Sequence, residues 1–276
     1  MIRIGLTSFN EHVALTGKEQ TTLFEYAGKL PLVEIDTAYY GIPRVSTVEN
    51  WVAQVPGNFR FVVKLYAGFT GQNKWQDHYS SFDELTAHFL QALAPLLESG
   101  KLYCCLAQFP AQFKCTRKNV RYLETLRQAF LDVPLAIELR DFSWYAPELK
   151  TKTLKFMAAQ KFSLVMVDEP QLLDTVPLDL TVTNPAFTLF RFHGRNKDYW
   201  KSSGQGWRKK RTLYRYNETE LAELAVKIQQ VAKKSQQTAV IFNNNSGGDA
   251  ADNALAMIRL LGLDYNDLNP SQLDLF

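Results

Sequence analysis

Short runs of β-branched and aromatic residues alternate with longer amphipathic stretches along the whole chain. Strands are expected over residues 2–8, 32–40, 59–66, 102–110, 135–141, 162–168, 187–193 and 238–244, eight in all. Between them, residues 82–97, 118–130, 146–159, 218–234 and 250–261 repeat apolar positions three and four apart, as in Leu221, Leu224, Ala225 and Ile228. That is the period of a helix laying one face on a core. Strands alternating with helices imply parallel pairing through right-handed crossovers. Eight such units in 276 residues suit a closed (β/α)8 TIM barrel, an architecture of about 250 residues, better than an open doubly wound sheet. The first strand is not followed by a glycine-rich turn, which weakens the dinucleotide-binding alternative. The sixth unit is irregular, because residues 169–185 hold three prolines and little helical period. The expectation is one α/β barrel over residues 1–263, with a polar, proline-interrupted tail over 264–276.

Composition adds bounds rather than identity. A hydrophobic share of 46% against 21% charged residues supplies a sizeable core. A formal charge of +3 is too small to make the whole molecule a polyanion binder, so any basic signal must be local. Cys104, Cys105 and Cys115 form neither a metal-ligand spacing nor an even disulfide framework. No apolar run approaches the roughly 20 residues of a membrane span, and the first residues lack a signal-peptide pattern. A cytoplasmic protein without membrane partners is expected.

In such barrels binding and catalytic groups sit at the carboxyl ends of the strands. Here the strand ends carry Glu34, Asp36, Tyr39 and Tyr40, then Lys64, Gln108, and Glu138 and Arg140 with Trp144. Asp168 follows, then Arg191, His193 and Arg195, and finally Asn243 and Asn244. Oppositely charged groups converging on one mouth shift one another's pKa values, as sites of chemistry require. Ion pairs that only close the barrel would look the same in sequence. For a hydrolytic reaction, Glu138 or Asp168 is the candidate general base, His193 the acid, and Arg140 or Arg191 the anion stabiliser. The other strand-end residues are candidate ligand contacts.

The runs Val33-Glu34-Ile35-Asp36-Thr37-Ala38-Tyr39-Tyr40, Phe61-Val62-Val63-Lys64, Gln108-Phe109-Pro110 and Ile137-Glu138-Leu139-Arg140 with Ser143-Trp144 form a recognisable series. Phe190-Arg191-Phe192-His193-Gly194-Arg195 and Phe242-Asn243-Asn244 continue it. In order and spacing, from Ile4 to about Leu261, the chain resembles the YecE-like family, domain of unknown function 72. The resemblance implies a barrel similar to the xylose-isomerase-like and apurinic-endonuclease barrels, and no established reaction. Two positions depart from the family pattern: Thr70-Gly71 replaces a Thr-His pair, and Asp141 stands where a histidine is frequent. Apurinic-endonuclease barrels hold a zinc cluster with many histidines, whereas only His193 of His12, His78, His88 and His193 lies at a strand end here. A comparable zinc cluster is not expected and no cofactor is indicated. One oxygen-ligated cation on Glu34, Asp36, Glu138 or Asp168 stays open.

Two further segments point to nucleic acid. Residues 199–217 hold Lys201, Arg208, Lys209, Lys210, Arg211 and Arg215 without an acidic residue, interleaved with Tyr199, Trp200, Trp207, Tyr214 and Tyr216. Cations neutralise phosphates while aromatic faces stack on bases, a mixture suited to single-stranded or damaged DNA. Lys201, Trp207, Arg208, Lys209, Lys210 and Arg211 are the candidate contacts. The last five residues, Gln272-Leu273-Asp274-Leu275-Phe276, resemble the bacterial sliding-clamp binding motif. Leu275 and Phe276 suit an apolar pocket and Gln272 its polar rim, while Leu273 and Asp274 complete the pattern. The combined expectation is a bacterial barrel in DNA metabolism, docked on the clamp and contacting nucleic acid or a phosphate ligand at its mouth. A small-molecule hydrolase or isomerase and a non-catalytic adaptor are the alternatives.

Overall fold

The strand runs are apolar on both faces because each is covered twice, by the barrel interior and by the helices outside it. In the computed structural model, which describes residues 1–200 and 210–270, the strands are β1 (Ile2–Thr7), β2 (Leu32–Ile35), β3 (Arg60–Lys64), β4 (Leu102–Gln108) and β5 (Leu135–Glu138). They continue as β6 (Ser163–Leu164), β7 (Met166–Asp168), β8 (Phe187–Phe192) and β9 (Gln237–Phe242). The helices are α1 (Val13–Thr16), α2 (Leu23–Ala27), α3 (Val45–Ala53), α4 (Phe82–Glu98) and α5 (Arg117–Ala129), then α6 (Pro147–Ala159), α7 (Glu218–Ala232) and α8 (Asp249–Leu261). Neighbouring strands are parallel, in the order β6-β5-β4-β3-β2-β1-β9-β8-β7. The two ends of that order are consecutive pieces of one segment. They are separated by Val165, whose N–H donates to Ile137 O at 2.9 Å. The described residues therefore make one α/β domain around a nearly closed parallel barrel of the TIM type.

The strands stop sooner than their apolar runs suggest. The second ends at Ile35 and gives way to a 3-10 turn over Thr37–Tyr39, and the fifth ends at Glu138 ahead of a turn over Phe142–Trp144. Helix α3, which buries Val48 and Trp51, was not expected; its nine residues give a helical period little length in which to repeat. After β7 no helix forms among residues 169–186. Side chains do the ordering there: Thr175 Oγ1 donates to Pro170 O, and Val176 N–H donates to a Glu169 oxygen.

Parity along the strands decides which groups reach the mouth, because successive side chains point to opposite faces. Thr7 is level with Glu34, Gln108 with Glu138, and Val167 with Arg191, so these positions share the interior face. Asp168 is level with Phe192, whose ring packs on Tyr216 and Phe242 toward the helices. Gly5 sits where β1 and β2 approach closely: a Cβ there would lie 2.2 Å from Leu32 O. At the opposite end of the barrel, Tyr103 donates to Thr188 O at 2.7 Å and Arg3 to Gln237 Oε1 at 2.9 Å. Tyr265 and Asn269 tie the end of the described chain back to that side: Tyr265 Oη accepts from Ile4 N–H at 3.1 Å, and the Asn269 amide donates to Gln54 O and Phe24 O. No helix among the described residues is long and apolar enough to cross a membrane.

Candidate functional site

The centre of the mouth is one buried guanidinium. Arg191 is 1% exposed, donates through Nε and Nη2 to the two oxygens of Glu34 at 2.8 and 2.6 Å, and through Nη1 to Glu138 Oε2 at 2.5 Å. Nη1 also reaches Gln108 Oε1 at 2.9 Å. Burial by itself lowers its pKa, but Glu138 and Glu34 hold it above the ordinary arginine value. Glu138 is likewise penalised by burial. Arg140, Arg191 and His193 overcome that and hold its carboxyl well below the usual range. Its Oε1 faces both Arg140 and His193, so neither oxygen is open to a substrate proton.

His193 is fully enclosed, and burial with the adjacent Arg140 pushes its imidazole well below the usual value, leaving it neutral. Its Nδ1 lies 2.8 Å from Asn243 Nδ2, which makes Nδ1 an acceptor. In that amide orientation Nε2 carries the proton toward Glu138 Oε1, 3.2 Å away, and opposes a donor of the Arg140 guanidinium at 2.8 Å. Turning the Asn243 amide over would exchange the tautomer and let Nε2 accept from Arg140.

Arg140 joins this layer to a residue not singled out in the sequence, Glu169, at 2.8 Å. Burial drives the Glu169 carboxyl up to about 7, against the pull of Arg140 and the Val176 N–H. Asp168 and Glu169 are adjacent and therefore point to opposite faces; strand parity was the signal that could have found Glu169. Thr7 was also missed: it is 6% exposed, shares the face of Glu34, and its hydroxyl has no partner. Over this layer lies Trp200. The Arg211 guanidinium sits 3.8 Å from its ring centre, and that of Arg140 lies 5.7 Å away. Burial, then Arg140, lower Arg211 to about 10.

The remaining sequence-derived candidates separate from this cluster. Asp168 accepts from Arg195 through both oxygens and from Tyr216 Oη at 2.7 Å. Arg195 also binds Glu220, the partner of Asn217 in the capping box that opens α7, so the set clamps the chain after β8 onto the barrel. Lys64 pairs with Asp36 at 2.7 Å and lies over the Tyr39 ring, while Tyr40 is exposed at the edge. Trp144 is buried on the helical side, its Nε1 donating to Phe113 O at 2.7 Å. Asn244 donates to Tyr214 O and Asn253 Oδ1 as a joint below the loop. Lys210 lies over the Tyr199 ring, whereas Lys201, Trp207, Arg208 and Lys209 fall outside the described residues, as do Gln272, Leu273, Asp274, Leu275 and Phe276. Among the described residues no three histidine, cysteine or acidic side chains converge as metal ligands. Glu34, Asp36, Glu138 and Asp168, the carboxylates open to a cation in sequence terms, each face an arginine or lysine instead.

The model of a protein family of unknown function, DUF72, matches residues 3–274. The chain is 40% identical to the UPF0759 protein YunF of Bacillus subtilis over the full length of both. A solved DUF72 structure from Enterococcus faecalis, EF0366, superposes with a TM-score of 0.96 at 54% identity, covering 99% of this chain and 100% of that one. The Thermotoga maritima DUF72 protein TM1631 gives 0.81 at 30% identity, covering 95% and 100%. With a barrel of matching shape and a family match spanning nearly every residue, the chain belongs to the DUF72 family.

Proposed function

We propose that the mouth binds a phosphate-bearing ligand between Arg140 and Arg211. The observation that carries this reading is the pair of guanidiniums crowded around one indole. The Arg140 side chain is only 9% exposed and its Nε has no hydrogen-bond partner. Glu138 and Glu169 offset the charge of Arg140, yet burial and Arg140 still lower Arg211, so an anion beside both guanidiniums favours their charged forms and uses the idle donor. Thr7 Oγ1 supplies a second unused polar atom on the same face. Nucleic acid is the phosphate carrier favoured by the basic, aromatic segment after β8. Docking on a sliding clamp through the tail of residues 264–276, outside a barrel of 1–263, belongs to this proposal. So does the finer kinship with xylose-isomerase and apurinic-endonuclease barrels. If the ligand is also hydrolysed, Glu169, with its pKa near neutrality beside Arg140, is better suited to carry the proton than Glu138 or Asp168.

Calorimetric titration with inorganic phosphate and with a single-stranded oligonucleotide tests the site. Arg140→Met and Arg211→Met are each expected to weaken binding about tenfold or more, since a charged hydrogen bond contributes roughly 1.5–3 kcal/mol. The reading is refuted if the double variant binds both as the parent does, or if neither binds at low salt. For the tail, a chain lacking Gln272–Phe276 is expected to lose binding to the clamp; equal retention ends that part.

A further inference from the structure

On the outer side of the barrel, α5 and α6 leave a groove of about 540 Å3 between them. Its floor is apolar, made by Val120, Leu149, Phe156 and Trp144. Arg117 and Arg121 on α5 and Lys152 on α6 stand at its edge against the single acid Glu124. We infer that this groove is a binding site for a single-chain fatty-acid anion, the hydrocarbon lying on the floor and the carboxylate among the three cations.

Three physical facts select that occupant. Volume and lining match small-molecule pockets, which run from about 300 to 1,000 Å3 with few polar groups. None of the three cations has an acidic partner among the described residues. Arg117 and Arg121 are four apart on one helix face, where like charges repel. Moreover, α5 opens on Arg117 and Lys118 with no acid in its first turn, against the preference of the helix dipole. An anion at that end relieves both conflicts, which a neutral ligand would not. The groove edges run from Arg117 to Glu124 and from Leu149 to Phe156, two helical turns or roughly 10 Å. That length holds a short acyl chain and is too small for a partner helix to bury a stable interface of about 800 Å2.

Cys115 provides a reporter within the same groove. Burial pushes all three thiols up, but Cys115 is partly exposed in the groove whereas Cys104 and Cys105 are fully buried. Maleimide labelling of the full chain, read by mass spectrometry, should modify Cys115 first. Decanoate below its micellar range is expected to slow that labelling saturably, while acetate and decanol do not. Arg121→Gln with Lys152→Gln should raise the decanoate concentration for half-protection about tenfold. Phe156→Trp, which fills the floor without adding charge, should reduce protection. Unchanged or faster labelling with decanoate overturns the inference, and so does equal protection by decanol.

Discussion

Replacing Arg191 by methionine tests whether the mouth is held together by its buried charges. The substitution keeps much of the volume but leaves Glu34 and Glu138, both fully buried, without their shared partner. Breaking one side of a buried ion pair costs about 3–5 kcal/mol, because a charge is stranded in a medium that solvates it poorly. For a chain of this size that corresponds to a fall in melting temperature on the order of 10 °C. Acid should reverse part of the loss. Burial already pushes the Glu34 carboxyl up and Arg191 is the chief group opposing it, so the variant's Glu34 titrates higher still. A group whose folded pKa is raised favours the folded state below its unfolded pKa and loses that contribution as pH rises through the folded value. The deficit relative to the parent should therefore be smaller near pH 5 than near pH 8. Adding Glu34→Gln should restore several degrees at pH 8. Calorimetric melting across that range checks each point. A deficit under about 1 kcal/mol that does not vary with pH would refute the account of a charge-locked mouth.

Glu169, raised to about 7 chiefly by burial, should make the parent lose stability as pH rises from roughly 4.5 to 7. Glu169→Gln is expected to flatten urea-midpoint profiles in that window, and an unchanged slope would count against the assignment. Gly5→Ala should destabilise by more than about 3 kcal/mol, or fail to fold, because the new methyl meets the Leu32 carbonyl, backbone that cannot step aside; urea denaturation measures it. Tyr103→Phe leaves the Thr188 carbonyl without its buried donor and should cost about 1 kcal/mol in the same assay, with the mouth's ligand binding unaltered.

Much of the mouth was legible in one dimension. Glu34, Gln108, Glu138, Arg140, Arg191, His193 and Asn243 were all named from strand ends, and the structure gathers them into one hydrogen-bonded layer. Asp168 and Glu169 show the limit of that reading. Both lie where the run ends, but the residue on the mouth side is fixed by the register of β7 against β8. Trp144 illustrates another limit, since an aromatic after a strand turns with equal ease toward ligand or core, and here Phe113 takes it. α3 was passed over because nine residues leave a helical period little length in which to repeat.

Alternation of apolar runs and amphipathic stretches by itself determined a parallel α/β architecture. Eight such units can bury their strand faces in a closed barrel or in an open doubly wound sheet, and the pairing of β1 with β9 decides for closure. The alternation also marked the end of the barrel at which carboxylates meet arginines, since Glu34, Glu138 and Arg191 stand at or near the ends of their runs. Tertiary structure alone decided which of those charges neutralise one another. That depends on distances of a few ångströms between residues as far apart as Glu34 and Arg191, and on which side of a twisted strand each one faces. The pairing of Glu138 with three donors, and the near-neutral pKa of Glu169, are properties of that shared burial rather than of any residue alone.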